Sequence, residues 1–123
     1  MPRCVCITQK FLIKPDGGPP LKGYLLMDED EHGNLLSVNV ELSKEGSMSR
    51  ALIHAVVTCI NRGLEFGMPL SIFVDEFRGW RFEPSGPVEC SGNVNRCESV
   101  ADYIARELEA RYIPRSEATC TTN

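Results

Sequence analysis

Apolar and polar residues alternate along the first third of the chain, which predicts β-strands. Two segments carry apolar residues at every second position: Val5, Ile7, Phe11 and Ile13 in the first, and Leu36, Val38, Val40 and Leu42 in the other. A further strand is predicted over residues 22–28 (KGYLLMD). Turns rich in Gly, Pro and acidic residues separate the three segments. Because connections this short join antiparallel neighbours, we expect a meander of about three strands.

The apolar spacing changes to steps of three and four after residue 47, which predicts a helix over residues 49–64. This helix has so many apolar residues that we expect it to lie under the sheet, close to fully buried. Ser47 or Ser49 can cap its first free amides. Gly63 and Gly67 can end it, because glycine accepts a positive φ.

Two more helices are predicted in the second half of the chain. Pro69 suits the first turn of a short helix with one apolar stripe, which consists of Leu70, Phe73, Val74 and Phe77. The last helix is expected from about residue 98 to Tyr112, with Ser99 as its N-cap and with Glu98 and Asp102 near the positive end of its dipole. Residues 80–92 contain two prolines and two glycines, so this segment is expected to be irregular.

These elements predict an α+β fold in which a small antiparallel sheet packs against two or three helices. A chain of 123 residues has the size of one ordinary domain. We expect a single domain over residues 1–113 and a flexible tail over residues 114–123. The oligomeric state stays open between a monomer and a homo-oligomer.

The charge pattern excludes several classes of partner. The net charge is −4, with both signs interspersed, so a nucleic-acid-binding surface is disfavoured. No apolar run reaches the roughly 18 residues of a membrane helix, and the N-terminus lacks the layout of a signal peptide. We therefore expect a cytoplasmic protein with no membrane or nucleic-acid partner.

Six cysteines raise the question of a metal site. The pairs Cys4–Cys6 and Cys90–Cys97 supply four thiols that could hold zinc if the first strand runs beside the irregular segment. One intervening residue is unusual for zinc, so free thiols or oxidation-prone pairs are the favoured alternatives. Cys59 lies among apolar residues of the first helix and is expected to be a small core residue. The remaining Cys120 lies in the tail.

For the other polar residues that could bind a ligand, a structural role is the favoured interpretation. Arg81 and Glu83 flank Phe82 and could hold a charged group of a partner, although a local salt bridge is favoured. Ser85 and Gly86 offer too few free amides for strong anion binding. His54 is interpreted as a core or helix-face residue. The acidic run at residues 28–31 is interpreted as a solvated hairpin tip rather than a calcium site.

Four ordered motifs carry a resemblance to a known family: KEGS at 44–47, GLEFGMPL at 63–70, FRGWRFEPSGP at 77–87 and ESVADYIARELEARY at 98–112. Together they resemble the segment that follows the catalytic barrel in adenosylcobalamin-dependent (class II) ribonucleotide reductases. That segment is known as the TSCPD domain, and the resemblance covers about residues 22–112. Residues Ser99 to Asp102 stand at the motif that names it, with Val and Ala in place of its Cys and Pro.

The resemblance implies a part in deoxyribonucleotide synthesis without catalysis by this chain alone, because the radical-bearing barrel and the cobalamin site do not fit in 123 residues. Reductases with a separately encoded post-barrel part are known in this family. We therefore expect an accessory domain that docks to a catalytic reductase chain, which would carry adenosylcobalamin, while this chain holds no cofactor. The expected interface comprises Trp80, Arg81, Phe82, Glu83, Ser85 and Gly86. The alternative is a free-standing binding or regulatory module, stabilised by zinc or not, without a reductase link.

Overall fold

A computed structural model describes residues 5–43, 47–82 and 85–113, with the side chains of 47–49 left out. Over these ranges the chain forms the strands β1 (Val5–Ile13), β2 (Leu21–Glu29), β3 (Leu35–Leu42), β4 (Gly86–Glu89) and β5 (Arg96–Cys97), and the helices α1 (Ser47–Glu65), α2 (Leu70–Phe77) and α3 (Val100–Tyr112). The α+β prediction is confirmed. None of these helices is both long enough and apolar enough to cross a lipid bilayer. The predicted tail and the predicted serine caps of the first helix lie outside what is described.

The sheet has five strands in the order β3-β2-β1-β4-β5, and all neighbours are antiparallel. The three long strands are the predicted meander. The two short strands arise from residues 86–97, so part of the segment expected to be irregular is a strand. Strands of four and two residues are too short to show an alternating pattern in a sequence. They form because β4 pairs with the end of β1, where Ile13 faces Val88.

One face of the sheet carries the core. Odd-numbered residues in the second half of β1 and along most of β2 are fully or nearly buried, as Phe11, Ile13, Leu25 and Met27 show, whereas Val5 at the start of β1 is exposed. The ring of Phe11 packs on that of Tyr103 from α3, with 4.3 Å between ring centroids. Aromatic contacts of this kind add to the free energy that burial itself provides. The helix at the centre of the core is therefore α3.

Helix α1 packs mainly on β3, which is the edge strand, and it has only one covered side. Ile53, Val56, Val57 and Ile60 are buried there. The expectation that this helix is close to fully buried is wrong, since Leu52 is 40% exposed. The prediction that Cys59 is a core residue is also wrong, because Cys59 lies on the exposed side of the helix. A helix beside a sheet edge has no second layer above it.

The end of α1 is a Schellman motif. Met68 N–H donates to the carbonyl of Gly63 at 2.9 Å, and Gly67 N–H donates to that of Leu64 at 3.1 Å. Gly67 has a φ of 84°, which confirms its predicted role. Gly63 lies inside the helix, and its expected role as a terminator is wrong. A Cβ on Gly63 would lie 2.0 Å from Cζ of Phe73, so this glycine makes room for the ring from α2.

Candidate docking site

The segment between α2 and β4 contains five of the six residues that the sequence nominated for an interface, and the sixth, Gly86, opens β4. The Trp80 ring packs edge-on against Phe77, with centroids 4.7 Å apart, and 36% of Trp80 remains exposed. Phe82 is half-buried against the core, and its N–H donates to the carbonyl of Glu98 at 3.2 Å. Phe82 therefore anchors the segment, while Trp80 presents part of its ring to solvent.

Ser99 connects this segment to α3. Its Oγ accepts from Asp102 N–H at 3.0 Å, which confirms the predicted N-cap. The same Oγ donates to the carbonyl of Trp80 at 2.7 Å. Because Ser99 is fully buried, these bonds are shielded from water, and the cap of α3 also holds the main chain at Trp80.

Asp102 is the second anchor, and it is fully buried. One of its carboxylate oxygens accepts from Gly79 N–H at 2.6 Å and the other from Glu98 N–H at 2.8 Å. Both oxygens lie 2.9 Å from Nε of Arg106, which compensates their charge. The sequence predicted only a favourable place on the helix dipole. The structure adds that this carboxylate ties the end of α2 and the start of α3 together.

Arg81 lies on the solvent side of the segment. Its Nε is 3.8 Å from Oε1 of Glu98, and 81% of the Arg81 side chain is exposed. Pairs this exposed contribute little to stability, so Arg81 is available to a partner at small cost. Glu83, the salt-bridge partner favoured from the sequence, lies outside the described residues.

Gly86 allows two strands to approach each other. It opens β4 with a φ of 147°, and a Cβ at this position would lie 2.7 Å from the carbonyl oxygen of Lys14. Lys14 N–H in turn donates to the carbonyl of Pro87 at 2.9 Å. Ser85 and Gly86 border a depression of about 160 Å³ that Asp16 also lines. The close packing of these two strands explains why residue 86 is a glycine.

The cysteines of the proposed zinc set lie in different environments. Cys6 is exposed on the open face of the sheet, opposite Asp28, and a hydrogen bond to that carboxylate raises the pKa of the Cys6 thiol. Cys97 is buried, and burial raises its pKa to about 12. Cys90 is exposed at the end of β4, and Cys4 lies outside the described residues. Within the described ranges, no three His, Cys, Asp or Glu side chains are grouped to hold a metal ion.

The acidic hairpin tip is closed by one of its own carboxylates. Asp30 Oδ1 accepts from His32 N–H at 2.8 Å and from Asn34 N–H at 2.9 Å. These backbone hydrogen bonds, the bond from Asn34 first, lower the pKa of Asp30. The carboxylate thus stabilises the turn. His54 lies exposed on α1, with its Nε2 3.5 Å from Oγ1 of Thr58, which agrees with a helix-face residue.

The sequence reasoning missed a group of exposed apolar side chains around α2. Phe66 is 84% exposed, Met68 40% and Ile72 47%. Phe66 and Met68 precede the helix, Ile72 lies on it, and Trp80 follows its end. We call these four residues the α2 surface. The sequence held a signal only for Ile72, which lies on α2 outside the apolar stripe that faces the core.

A second buried carboxylate was also missed. Glu107 of α3 is fully buried and accepts from Ser91 Oγ at 2.8 Å and from Asn93 Nδ2 at 2.9 Å. Arg111 donates to Glu107 at 2.5 Å and also to Oε1 of Gln9 on β1 at 2.7 Å. This network fastens the loop after β4 to α3 and to the sheet. Such a network has no sequence signal, because its members are up to 102 residues apart.

Sequence comparisons connect this fold to known proteins. The family model described as the TSCPD domain matches residues 7–112. A vitamin B12-dependent ribonucleotide reductase of Bradyrhizobium diazoefficiens is 36% identical over 108 residues, which are 88% of this chain and 8% of that protein. The proteins of the same name from Agrobacterium fabrum and Streptantibioticus cattleyicolor are each 32% identical, over 78% and 88% of this chain.

The chain spans only a small part of these relatives. It covers 8% of the Agrobacterium protein and 17% of the Streptantibioticus protein. No solved structure matches the chain. The homology therefore concerns one segment of a much larger polypeptide.

Proposed function

Since this chain belongs to the TSCPD domain family, we propose that it acts in vitamin B12-dependent ribonucleotide reduction as an accessory domain that docks to a separate catalytic polypeptide. The observation that carries this proposal is the match between almost the whole chain and one segment of proteins named vitamin B12-dependent ribonucleotide reductase. In those proteins the matching segment belongs to the same polypeptide as the rest of the enzyme. A docked domain would restore that association between two chains.

The α2 surface is the proposed contact. Phe66, Met68, Ile72 and Trp80 expose apolar area on and beside one short helix, and we propose that they form one apolar patch, since such patches are typical of interaction sites. Arg81 extends from the same segment, and Trp and Arg are the residues enriched among the energetic centres of interfaces. Ser99 and Asp102 support this surface from within, because they hold the main chain at Gly79 and Trp80. Binding would then require little ordering of the segment.

The chemistry of the reaction is assigned to the partner. We propose that the catalytic polypeptide holds adenosylcobalamin and that this chain contributes shape and contacts. The groove between β3 and α1, about 450 Å³, is small beside a corrin ring with its nucleotide tail, which supports this assignment. Elemental analysis of the purified chain is expected to find no stoichiometric zinc or cobalt, and one metal ion per chain would contradict this assignment.

The test is a direct binding measurement with a B12-dependent reductase polypeptide from the same genome. Isothermal titration with the purified chain is expected to give a 1:1 complex. Trp80→Ala and Phe66→Ala should each weaken it, by about tenfold to thirtyfold for an interface centre. Phe66 is the cleaner variant, because 84% exposure leaves its ring little role in the fold.

Leu36→Ala is the matched control, since Leu36 is 43% exposed but lies on β3, away from α2. It should leave the affinity unchanged. Equal weakening by the control and by Phe66→Ala would contradict the proposed surface. No binding between the two purified proteins at a concentration of tens of micromolar would overturn the docking function itself.

A further inference from the structure

Within the described part of the chain, strand β3 is one edge of the sheet, so half of its backbone groups have no strand there to pair with. Ser43 N–H, just past the end of β3, donates to the carbonyl of Lys22 near the start of β2 at 3.0 Å. In an antiparallel pair the direction of the backbone groups alternates from residue to residue. The N–H and carbonyl groups of the even-numbered residues Val38, Val40 and Leu42 therefore point away from the sheet.

Asn61 occupies the middle of this edge. Its Oδ1 accepts from Val38 N–H at 2.8 Å, and its Nδ2 donates to the Val38 carbonyl at 2.9 Å. One amide side chain thus makes both of the hydrogen bonds that a residue of an added strand would make. Farther along the edge, Asn39 Oδ1 accepts from Val40 N–H at 2.9 Å.

The strand at this edge has the composition of a segment that pairs readily with itself. It reads LLSVNVEL, with one charged residue and neither Pro nor Gly. High β-propensity with low charge is the signature of strands that aggregate when their edges are open. Folded proteins protect such edges, and the edge at the other end of the sheet is β5, which is only two residues long.

We propose that Asn61 closes the β3 edge and thereby prevents β3 from pairing with β3 of a second copy of this chain. Because helix α1 packs along β3, it places the side-chain amide of Asn61 beside the backbone of Val38. This role is independent of docking through the α2 surface. It makes Asn61 an edge-closing residue rather than a residue of a binding site.

The unmodified chain tests the first half of the proposal. Hydrogen exchange followed by NMR should show the Val38 amide protected at least about 100-fold relative to an unstructured peptide, since its hydrogen bond opens only when α1 moves. An edge amide that is open to water would lack this protection. Exchange of Val38 at the unstructured rate would overturn the proposal.

The variant Asn61→Ala tests the second half. Alanine is the better helix former, so the helix itself should not be weakened. We expect the Val38 amide to exchange about tenfold faster. Sedimentation velocity should show an average mass that rises with protein concentration more steeply than for the unmodified chain.

Two further variants decide the outcome. Ser43→Ala removes a side-chain bond to the carbonyl of Lys22 within the β2–β3 pair and should not promote association. Asn61→Ala combined with Leu36→Lys should return to the behaviour of the unmodified chain, because a lysine on the edge opposes strand pairing. Association of Asn61→Ala no greater than that of Ser43→Ala, or association that Leu36→Lys does not reverse, would overturn the proposal.

Discussion

The first helix of this protein is less buried than its apolar sequence suggests, and the last helix is more buried than its charged sequence suggests. Helix α1 is rich in apolar residues, yet it leaves Leu52, His54 and Cys59 exposed. Helix α3 reads VADYIARELEARY with five charged residues, and eight of its thirteen residues are buried. Two of the buried ones are the carboxylates Asp102 and Glu107.

This difference in burial follows from the elements that pack against each helix. Helix α1 runs beside the edge strand, so only one side of it finds a partner. Helix α3 has sheet on one side and α2 with its following segment on another. Its carboxylates can be buried because they are hydrogen-bonded: Asp102 accepts from backbone amides and Arg106, and Glu107 accepts from Ser91, Asn93 and Arg111. Burial thus follows the number of layers around a helix, and charge is tolerated where it is fully hydrogen-bonded.

The largest effect is expected from Asp102→Ala. It leaves the amides of Gly79 and Glu98 without an acceptor and Arg106 without its partner. Breaking a buried charged network in this way costs about 3–5 kcal/mol. Urea unfolding followed by circular dichroism measures the loss. His54→Ala on the exposed side of α1 is the control and should change the free energy of unfolding by less than about 0.5 kcal/mol.

If Asp102→Ala and His54→Ala lowered the free energy of unfolding equally, the proposed difference between α3 and α1 would be contradicted. Asp102→Asn refines it, because asparagine keeps one acceptor oxygen and removes the charge. We expect its loss to lie between that of Asp102→Ala and that of the unmodified chain.

An intermediate effect is expected from Gly63→Ala. In an exposed helix this change stabilises by about 0.5–1 kcal/mol, because alanine restricts the unfolded chain. Here the new Cβ would overlap Phe73, so the sign is reversed and a loss of about 1–3 kcal/mol is expected. Gly63→Ala combined with Phe73→Leu should recover part of the loss. A stabilising Gly63→Ala would show that α2 does not pack closely on α1.

The smallest effect on the structure is expected from a comparison of the alkylation rates of two thiols. Alkylation followed by mass spectrometry should label Cys59 of α1 at once, and Cys97 beside α3 at least about 100-fold more slowly, since Cys97 must first be exposed by opening of the fold. The contrast should vanish in denaturant. Equally fast labelling of both thiols in the native protein would contradict the buried position of Cys97.

The raised pKa of the Cys97 thiol predicts that the free energy of unfolding depends on pH. Burial raises the pKa of Cys97 from 9.0 to about 12, so the unfolded chain ionises first as the pH rises. This contribution to stability is complete below pH 9 and is lost between pH 9 and about pH 12. Cys97→Ser should flatten this part of the stability curve.

Much of the fold followed from local patterns. The alternation in β1 and β3 predicted the meander, the apolar stripe of α2 predicted its buried side, and Ser99 was recognised as the cap of α3. The interface nomination of Trp80, Arg81 and Phe82 stays a prediction, and the proposed contact includes Trp80 and Arg81. The nomination left out Phe66 and Met68, because an apolar residue in a turn has no periodic pattern that shows whether it is covered, and it left out Ile72, which lies on α2 outside the apolar stripe.

The sequence alone therefore determined the long elements, their apolar faces and the family, since these depend on neighbouring residues or on linear motifs. Only the tertiary structure decided which helix is central, how Asp102 and Glu107 are satisfied, and that Asn61 closes the sheet edge. These features join residues that are distant in the chain, such as Val38 with Asn61 and Gln9 with Arg111. A hydrogen bond between distant residues depends on geometry that folding creates, so no local pattern announces it.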